Sequence, residues 1–468
     1  MKKLLIGVVL TAALLAGCNR SAPKTLATQG IPLDSAQVEL PKVQTWFVTP
    51  ALQQLIDSAL QRQPDYLSNL ATLQQARAEL MARKYGLLPA LDVFGGRGLR
   101  RFGEYTMDGV GNFDTNFSPN IRPDQRMPNP LPDYQLSARL SWELDVWGRL
   151  SSLKRAAAKR YLATEAGLHW QKTLLVAEIA TTYYELRTLN EIQTIVKQNE
   201  TLQLGGLNLV KIKLEAGRVT ALAVQQFEAQ LAETQALFHA LEGDKLRAAN
   251  RLNLQMGQVQ GPFSDSLLGT DLTFETLPFS TVPAKALLAR PDVKAAALQL
   301  EAAGADVKAA EAAFFPQLVL GPEIGFQSFN PAQWLSPASL AWNLVGGITA
   351  PVFARGNLRA DLKRAQVQQT QAFQAYRKAA LTAYTELLDA LQQDRQLALQ
   401  LEAKQRQVSS LKEGVKSATE LFAAGYATYL EVVLAQNNVL AAEIQLAQVR
   451  LQRKLNQVQL YRALGGGW

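Results

Sequence analysis

The sequence predicts a mainly α chain, internally duplicated, in which two long helical hairpins are joined to pairs of short strands suited to a transmembrane β-barrel. Three observations carry this. The 20 prolines leave long stretches free, with none between Pro132 and Pro262 and none after Pro351. Such stretches suit long helices, because proline lacks the backbone donor and clashes with the preceding turn. The segments LEAGRVTALAV (Leu214 to Val224) and FAAGYATYLEV (Phe422 to Val432) match at an offset of 208 positions. Lastly, YQLSARLSWELDV (Tyr134 to Val146) alternates apolar and polar residues without a break, the period of a strand with two unlike faces.

The first element is an export signal. Lys2 and Lys3 precede the apolar run LLIGVVLTAALLA (Leu4 to Ala16), which is too short and too abruptly ended for a lasting membrane span. It closes on LAGC (Leu15 to Cys18), which resembles the bacterial lipobox, so residues 1–17 read as a lipoprotein signal peptide and Cys18 as the acylated first residue of the mature chain. An Asp after the cysteine would resemble an inner-membrane retention signal, so Asn19 leans towards the outer membrane. Cys18 is the only cysteine, which excludes a disulfide framework and a multi-cysteine metal site. Several acyl chains there would anchor the protein durably, at about 0.8 kcal/mol per buried methylene. Residues 18–49 are read as a lipidated N-terminal segment.

Two structural repeats follow, 50–257 and 282–468, separated by a connector over 258–281. Pro64, Asp65, Ala76, Pro89 and Leu91 match Pro291, Asp292, Ala303, Pro316 and Leu318 at an offset of 227, whereas Gly148 and Leu150 match Gly356 and Leu358 at 208. The change of offset leaves 19 extra residues in the first half, between Pro89 and Gly148. Each half begins with a helix and continues into a strand pair, 88–148 in the first and 315–352 in the second. Leu318, Leu320, Ile324 and Phe326, then Leu340, Trp342, Leu344 and Ile348, repeat the alternation, and Leu91, Val93 and Leu99 give a poorer version. The stretch FGEYTMDGVGNFDTNFSPNIRPDQRMPNPLP, rich in Gly, Pro, Asn and Asp, reads as a long turn-rich loop.

The helical hairpins are expected over 149–257 and 354–464. From Phe373, steps of three and four residues reach Tyr376, Ala380, Ala383, Leu387, Ala390, Leu397, Leu401, Val408, Leu411, Val415, Ala418 and Phe422, and only Asp394 and Lys404 interrupt the apolar run. This is a sustained coiled-coil seam. The first copy, through Leu168, Leu175, Ile179, Leu186, Leu189, Val196, Leu207, Val210 and Leu214, is weaker but in phase. A helix from Arg149 to Ala216 would run roughly 100 Å at 1.5 Å per residue. Gly217 and Gly425 then stand where helices stop, since glycine readily takes the left-handed conformation of a C-terminal cap.

Alternating strands of about ten residues fit a membrane barrel and equally a half-buried soluble sheet. The export signal, the anchor and the tryptophans near strand ends, Trp147 and Trp334, favour the membrane. Four strands cannot close around a pore, so two or three copies must associate, because an open edge in lipid leaves backbone groups unpaired. Lys and Arg number 48 against 40 Asp and Glu, a net charge of +8. The basic residues are dispersed, which suits solubility and not nucleic-acid binding. No HExxH, GxSxG or phosphate-cradling motif occurs, and the two histidines, His169 and His239, lie within helical stretches as surface or packing residues, so the chain reads as no enzyme and as needing no cofactor beyond the lipid on Cys18.

ARPDVKAAALQLEAAGADVKAAEAAFFPQL (Ala289 to Leu318), ELDVWGRL (Glu143 to Leu150) and the paired tip segments resemble the TolC-type outer membrane factors, and among them the OprM-like lipoprotein branch. The resemblance implies a homotrimer with a 12-stranded β-barrel continued by a 12-helix barrel in the periplasm. It implies the exit duct of a tripartite efflux pump, joined by a periplasmic adaptor (membrane fusion protein) to an inner-membrane transporter of the resistance-nodulation-division type. By the same resemblance Gly217, Arg218, Val219 and Gly425, Tyr426, Ala427 match adaptor-docking tips, or merely turn the chain. Leu430 matches an apolar constriction and Glu431 the first acidic position of the periplasmic gate. The family's second acidic position is Leu434 here, a departure that puts a double carboxylate ring in doubt. The alternative for Glu431 is a carboxylate in the first turn of a helix, favoured by the helix dipole. A duct for type I protein secretion, a periplasmic adaptor and a structural lipoprotein without a pore are the competing readings; the adaptor would need a single hairpin, and the strands oppose the last.

Overall fold

The computed structural model describes residues 43–259 and 284–466. The signal segment, Cys18 and most of the 18–49 and 258–281 segments lie outside the described residues. The elements run α1 (Val43–Trp46), α2 (Pro50–Arg62), α3 (Pro64–Tyr85), β1 (Ala90–Arg100), α4 (Met107–Thr115), β2 (Leu131–Leu144), α5 (Arg149–Glu215) and α6 (Ala221–Gln255), then α7 (Ala284–Ala289), α8 (Pro291–Ala312), β3 (Gln317–Ser328), β4 (Leu340–Thr349), α9 (Asn357–Ala424) and α10 (Tyr429–Ala463). The second series repeats the first. The opening helix of each half is broken at a proline, Pro64 and Pro291, which takes the first helical position, where no donor is needed. The chain forms two compact units, the described parts of Met1–Ala71, Glu165–Ala297 and Phe373–Trp468, and Thr72–Thr164 with Leu298–Ala372.

The first unit is helical. Every position of the predicted α9 seam from Phe373 to Phe422 is buried or half-buried, as helices that share a 3.5-residue apolar repeat require. Its two polar interruptions find partners on α10: Asp394 lies 3.5 Å from Arg453, and Lys404 donates to the side-chain oxygen of Gln445 at 2.7 Å. In α5 the earlier copy is buried or half-buried in the same phase except at Leu214, which is 37% exposed. Phe47 of the N-terminal segment and Leu52 and Ile56 of α2 pack with Val176, Ile179 and Tyr183 of α5, Leu252 of α6 and Tyr461 of α10. Burial of each such side chain is worth about 1.5–3 kcal/mol.

The second unit holds one antiparallel sheet in the order β1-β2-β3-β4. Its register puts Leu91, Val93 and Leu99 on the same face as Leu136, Leu140 and Trp142, Leu320, Ile324 and Phe326, and Leu340, Trp342, Leu344 and Ile348. The other face carries Asp92, Gln135, Ser137, Arg139, Glu323, Gln327 and Asn343. One sheet therefore has a mainly apolar side, interrupted by Arg97, and a more polar side, on which Phe94, Val319 and Val345 also stand, with β1 and β4 as its two edges. Trp147 stacks on Phe315 at 4.8 Å and donates to the Pro316 carbonyl at 2.7 Å, an aromatic pair beside the strand ends. The 19 extra residues fall between β1 and β2, over 101–130, where the second repeat has only 329–339.

That interval corrects one expectation. It is not simply a turn-rich loop, because it contains the helix α4. Thr106 caps it, accepting from the Gly109 N–H at 3.1 Å, and Phe113 meets Phe117 edge-on at 4.9 Å. Asn116 fixes the returning chain by two bonds, to the carbonyl and the N–H of Met127 at 3.0 and 2.8 Å. Three glycines and asparagines among nine residues hide such a helix from propensity, and the capping and side-chain bonds supply what propensity lacks.

Candidate functional site

The site is built where α5 turns into α6 and α9 into α10, both within the helical unit. Gly217 has φ +65° and Gly425 φ +88°, the left-handed region that a residue with a Cβ enters at a cost. At the first turn the Arg218 N–H bonds to the Lys213 carbonyl at 2.8 Å and the Gly217 N–H to Leu214 at 2.9 Å. At the second, the Tyr426 N–H bonds to Leu421 at 2.8 Å and the Gly425 N–H to Phe422 at 3.2 Å. Both are Schellman caps, in which the two bonds satisfy carbonyls that the helix end leaves unpaired. A Cβ built on either glycine meets nothing within 4 Å. The glycines are therefore set by backbone conformation alone.

The two triads play matching parts. Arg218 and Tyr426 are exposed, Tyr426 at 86%, while Val219 and Ala427 pack on one apolar cluster. That cluster joins Leu207 and Val210 of α5, Ala223 and Phe227 of α6, Phe422 of α9, and Val432 and Val433 of α10. Sequence repetition thus becomes spatial proximity, because the two tips share a core. Lys213, which the sequence reading did not single out, ties them further. Its ammonium donates to the Phe422 carbonyl at 2.6 Å and to the Ala423 carbonyl at 3.3 Å, and lies 4.3 Å from the centroid of the Phe422 ring. A lysine in the last turn of a helix was the available signal, but its target on the other repeat was not.

The helix starts differ. Thr428 and Glu431 form a capping box at the start of α10, with Glu431 accepting from the Thr428 N–H at 2.6 Å and from its hydroxyl at 3.2 Å. In α6 the place of Glu431 is taken by Ala223, so Thr220 has no such carboxylate partner. Ala223, which aligns with Glu431, is fully buried, whereas Glu431 is exposed. The two return helices therefore turn different faces to the shared core. Leu430 is 47% exposed and Leu434 52%, so on the described chain a leucine, a carboxylate and a second leucine stand on accessible surface of the first turns of α10.

Among the described residues no group of three or more His, Cys, Asp and Glu side chains could hold a metal ion, and no helix is long and apolar enough to cross a membrane. His239 is exposed and faces Glu242 at 3.1 Å. Burial pushes the His169 imidazole below its ordinary value, against the opposing pull of Glu165.

Residues 55–258 and 282–466 match the model of the family described as "Outer membrane efflux protein". The pyoverdine export outer membrane protein OpmQ of Pseudomonas putida is 31% identical over 470 residues, covering 98% of this chain and 96% of that protein. The probable outer membrane lipoprotein SilC of Salmonella typhimurium is 28% identical over 424 residues, covering 90% of this chain and 87% of its own length. A solved structure of CusC superposes with a TM-score of 0.81 at 27% identity, covering 97% of this chain and 100% of that one. The outer-membrane channel OprN gives 0.79 at 27% identity, covering 96% of this chain and 98% of that one. With both repeats matched and a relative 31% identical along nearly the whole length, the chain belongs to the outer membrane efflux protein family and is an efflux channel component of the outer membrane.

Proposed function

We propose that three copies close their sheets into one barrel and conduct cargo passively outward as the exit duct of a tripartite pump. The observation that carries this is the four-stranded sheet with one mainly apolar face, one more polar face and two edges. In lipid, neither edge can remain unpaired, because each free backbone group costs several kcal/mol. Edge pairing between copies removes that cost, and the polar face then lines water. The repeats 50–257 and 282–468 are the units of this assembly, and acyl chains on Cys18 hold it to the outer membrane.

The six tips of such a trimer form the docking surface for a periplasmic adaptor, with Arg218 and Tyr426 as the contacting side chains and Gly217, Val219, Gly425 and Ala427 setting the turns. The adaptor connects the duct to an inner-membrane transporter of the resistance-nodulation-division type, which supplies the driving energy; the chain itself catalyses no reaction and needs no cofactor. Leu430 is the apolar seal and Glu431 the charge at the mouth. Three such carboxylates at about 6 Å repel by roughly 0.7 kcal/mol per pair in water. The relatives' names cover cations, toluene and pyoverdine, so the cargo follows the pump and not the duct.

Planar-bilayer recording of the purified chain, with its mass in detergent, tests the reading. A three-copy particle with steady conductance is expected, and Glu431→Gln lowers its preference for cations. A monomeric particle without conductance rules out the duct, and a Glu431→Gln channel of unchanged preference removes Glu431 from the filter.

A further inference from the structure

The register of the sheet aligns four polar side chains at one level. Asp92 on β1 pairs with Arg139 on β2, Arg139 with Glu323 on β3, and Glu323 with Asn343 on β4. The row is built, not merely aligned. Arg139 donates through Nε and Nη2 to Glu323 at 3.3 and 3.1 Å, and Gln135 donates to the other Glu323 oxygen at 3.3 Å. The neighbouring rows of the same face are small. Ser137, Gly325 and Ala341 stand on one side, with Phe94 the single large residue, and Ser141, Gly321 and Val345 on the other. A Cβ at Gly325 would collide with the Leu136 carbonyl and the Ser137 backbone, so no larger residue can stand beside Glu323 there. On β2 and β3 the long side chains of Arg139 and Glu323 therefore project further than Ser137, Ser141, Gly321 and Gly325 beside them.

The charges do not cancel. Within the row Arg139 is engaged by Glu323, which leaves the exposed Asp92 carboxylate in excess. Elsewhere on the polar face of the strands stand Asp133, Glu143 and Arg100, so carboxylates outnumber guanidinium groups four to two over the whole face. Glu143 is matched by Arg149 at 2.7 Å, and Asp133 accepts from Gln327 at 3.0 Å.

We infer that Asp92, Arg139, Glu323 and Asn343 form a charge-selective belt inside the barrel, distinct from the tips, which favours cationic cargo over anionic cargo. The inference rests on the duct reading, because only closure by further copies turns the polar face inward. Symmetry then brings each copy's row to the same depth, whatever the register between copies. A potential of about one kT at such a ring separates a singly charged cation from a singly charged anion by about sevenfold.

The full chain with Asn343→Cys, reconstituted in phosphatidylcholine vesicles at about 0.02 M salt, tests this. Cys18 is the only native cysteine, and the unmodified chain serves as the labelling control. The readout is the rate of modification by a trimethylammonium methanethiosulfonate against a sulfonate one, each divided by its rate on free cysteine. The cationic reagent is expected to be favoured by about five- to tenfold, and the preference to collapse near 1 M salt, where the Debye length is about 3 Å. Adding Asp92→Asn lowers the ratio and adding Arg139→Gln raises it, opposite shifts that a loss of structure would not produce. Labelling by both reagents with a ratio that neither substitution moves overturns the belt and leaves the duct standing. Labelling by a lipid-soluble maleimide but by neither charged reagent overturns both.

Discussion

The Lys213 ammonium bridges the two repeats by donating to the Phe422 carbonyl at 2.6 Å while lying 4.3 Å from the centroid of that residue's ring. This contact adds a cation from the last turn of α5 to the carbonyl end of α9, where Phe422 already accepts the Gly425 N–H, as the helix dipole favours. Lys213→Met keeps the apolar stem and removes the donor. It is expected to weaken the junction by about 1 kcal/mol, since a charged hydrogen bond is partly offset by solvent. The measurement is hydrogen exchange over 418–427, which should quicken several-fold while exchange over 176–186 stays fixed. Equal protection in both chains would assign the tip junction to the apolar cluster alone.

Gly217→Ala and Gly425→Ala test the turns separately. Because nothing lies within 4 Å of a Cβ at either place, the cost is conformational, about 1–2 kcal/mol for a side chain held at positive φ. Asn, which tolerates the left-handed region better, should recover part of it. Chemical denaturation followed by far-ultraviolet circular dichroism gives the order Gly, Asn, Ala. An Ala variant as stable as the parent would show that the cap is not held in this conformation.

Glu431 carries two properties that a single substitution confounds. Its carboxylate completes the capping box with Thr428, and its charge faces solvent. Glu431→Gln preserves the box, since glutamine also serves at that position, and removes the charge. Glu431→Ala removes both and is expected to cost a further 0.5–1 kcal/mol or about that in helix stability. Equal stability of parent and Gln variant, with a lower melting temperature for the Ala variant, separates the cap from the charge. A Gln variant as unstable as the Ala variant would mean that the stabilisation is electrostatic.

The seam, the duplication and the strand alternation were legible because each is a period, and a period needs no knowledge of partners. The seam positions from Phe373 to Phe422 are buried or half-buried as the three-and-four spacing required, and the glycines 208 apart both adopt positive φ. What was not legible depends on which face a helix turns inward. Ala223 and Glu431 occupy the same place in the repeat, yet one is buried and the other exposed. That difference follows from how α6 and α10 meet a shared core, a long-range choice that local pattern does not encode. The same holds for Lys213, whose partner lies 209 positions away, and for α4, whose stability comes from a cap and two side-chain clamps and not from helix-forming residues.

Arg290 gives the most demanding test of the helical unit. Its side chain is only 1% exposed, and it bridges Asp292 at 2.8 Å and Glu386 at 2.9 Å, donates to the Ala463 carbonyl at 3.1 Å and lies 4.9 Å from the Trp170 ring. Glu386 also receives Arg462 at 3.2 Å, so one guanidinium fork holds the starts of the second repeat and the end of α10 to α9. A planar fork with five donors can serve these partners together, whereas an ammonium cannot. Arg290→Met leaves two carboxylates without their main partner and is expected to cost about 3–5 kcal/mol, Arg290→Lys somewhat less. Because Arg290 and Glu386 are partners, Arg290→Met combined with Glu386→Met should be less destabilised than the two single effects added, by about 1–3 kcal/mol. Denaturation midpoints of the four chains measure this. Strict additivity would mean that Arg290 acts through Asp292, Trp170 and the Ala463 carbonyl and that its bond to Glu386 contributes nothing.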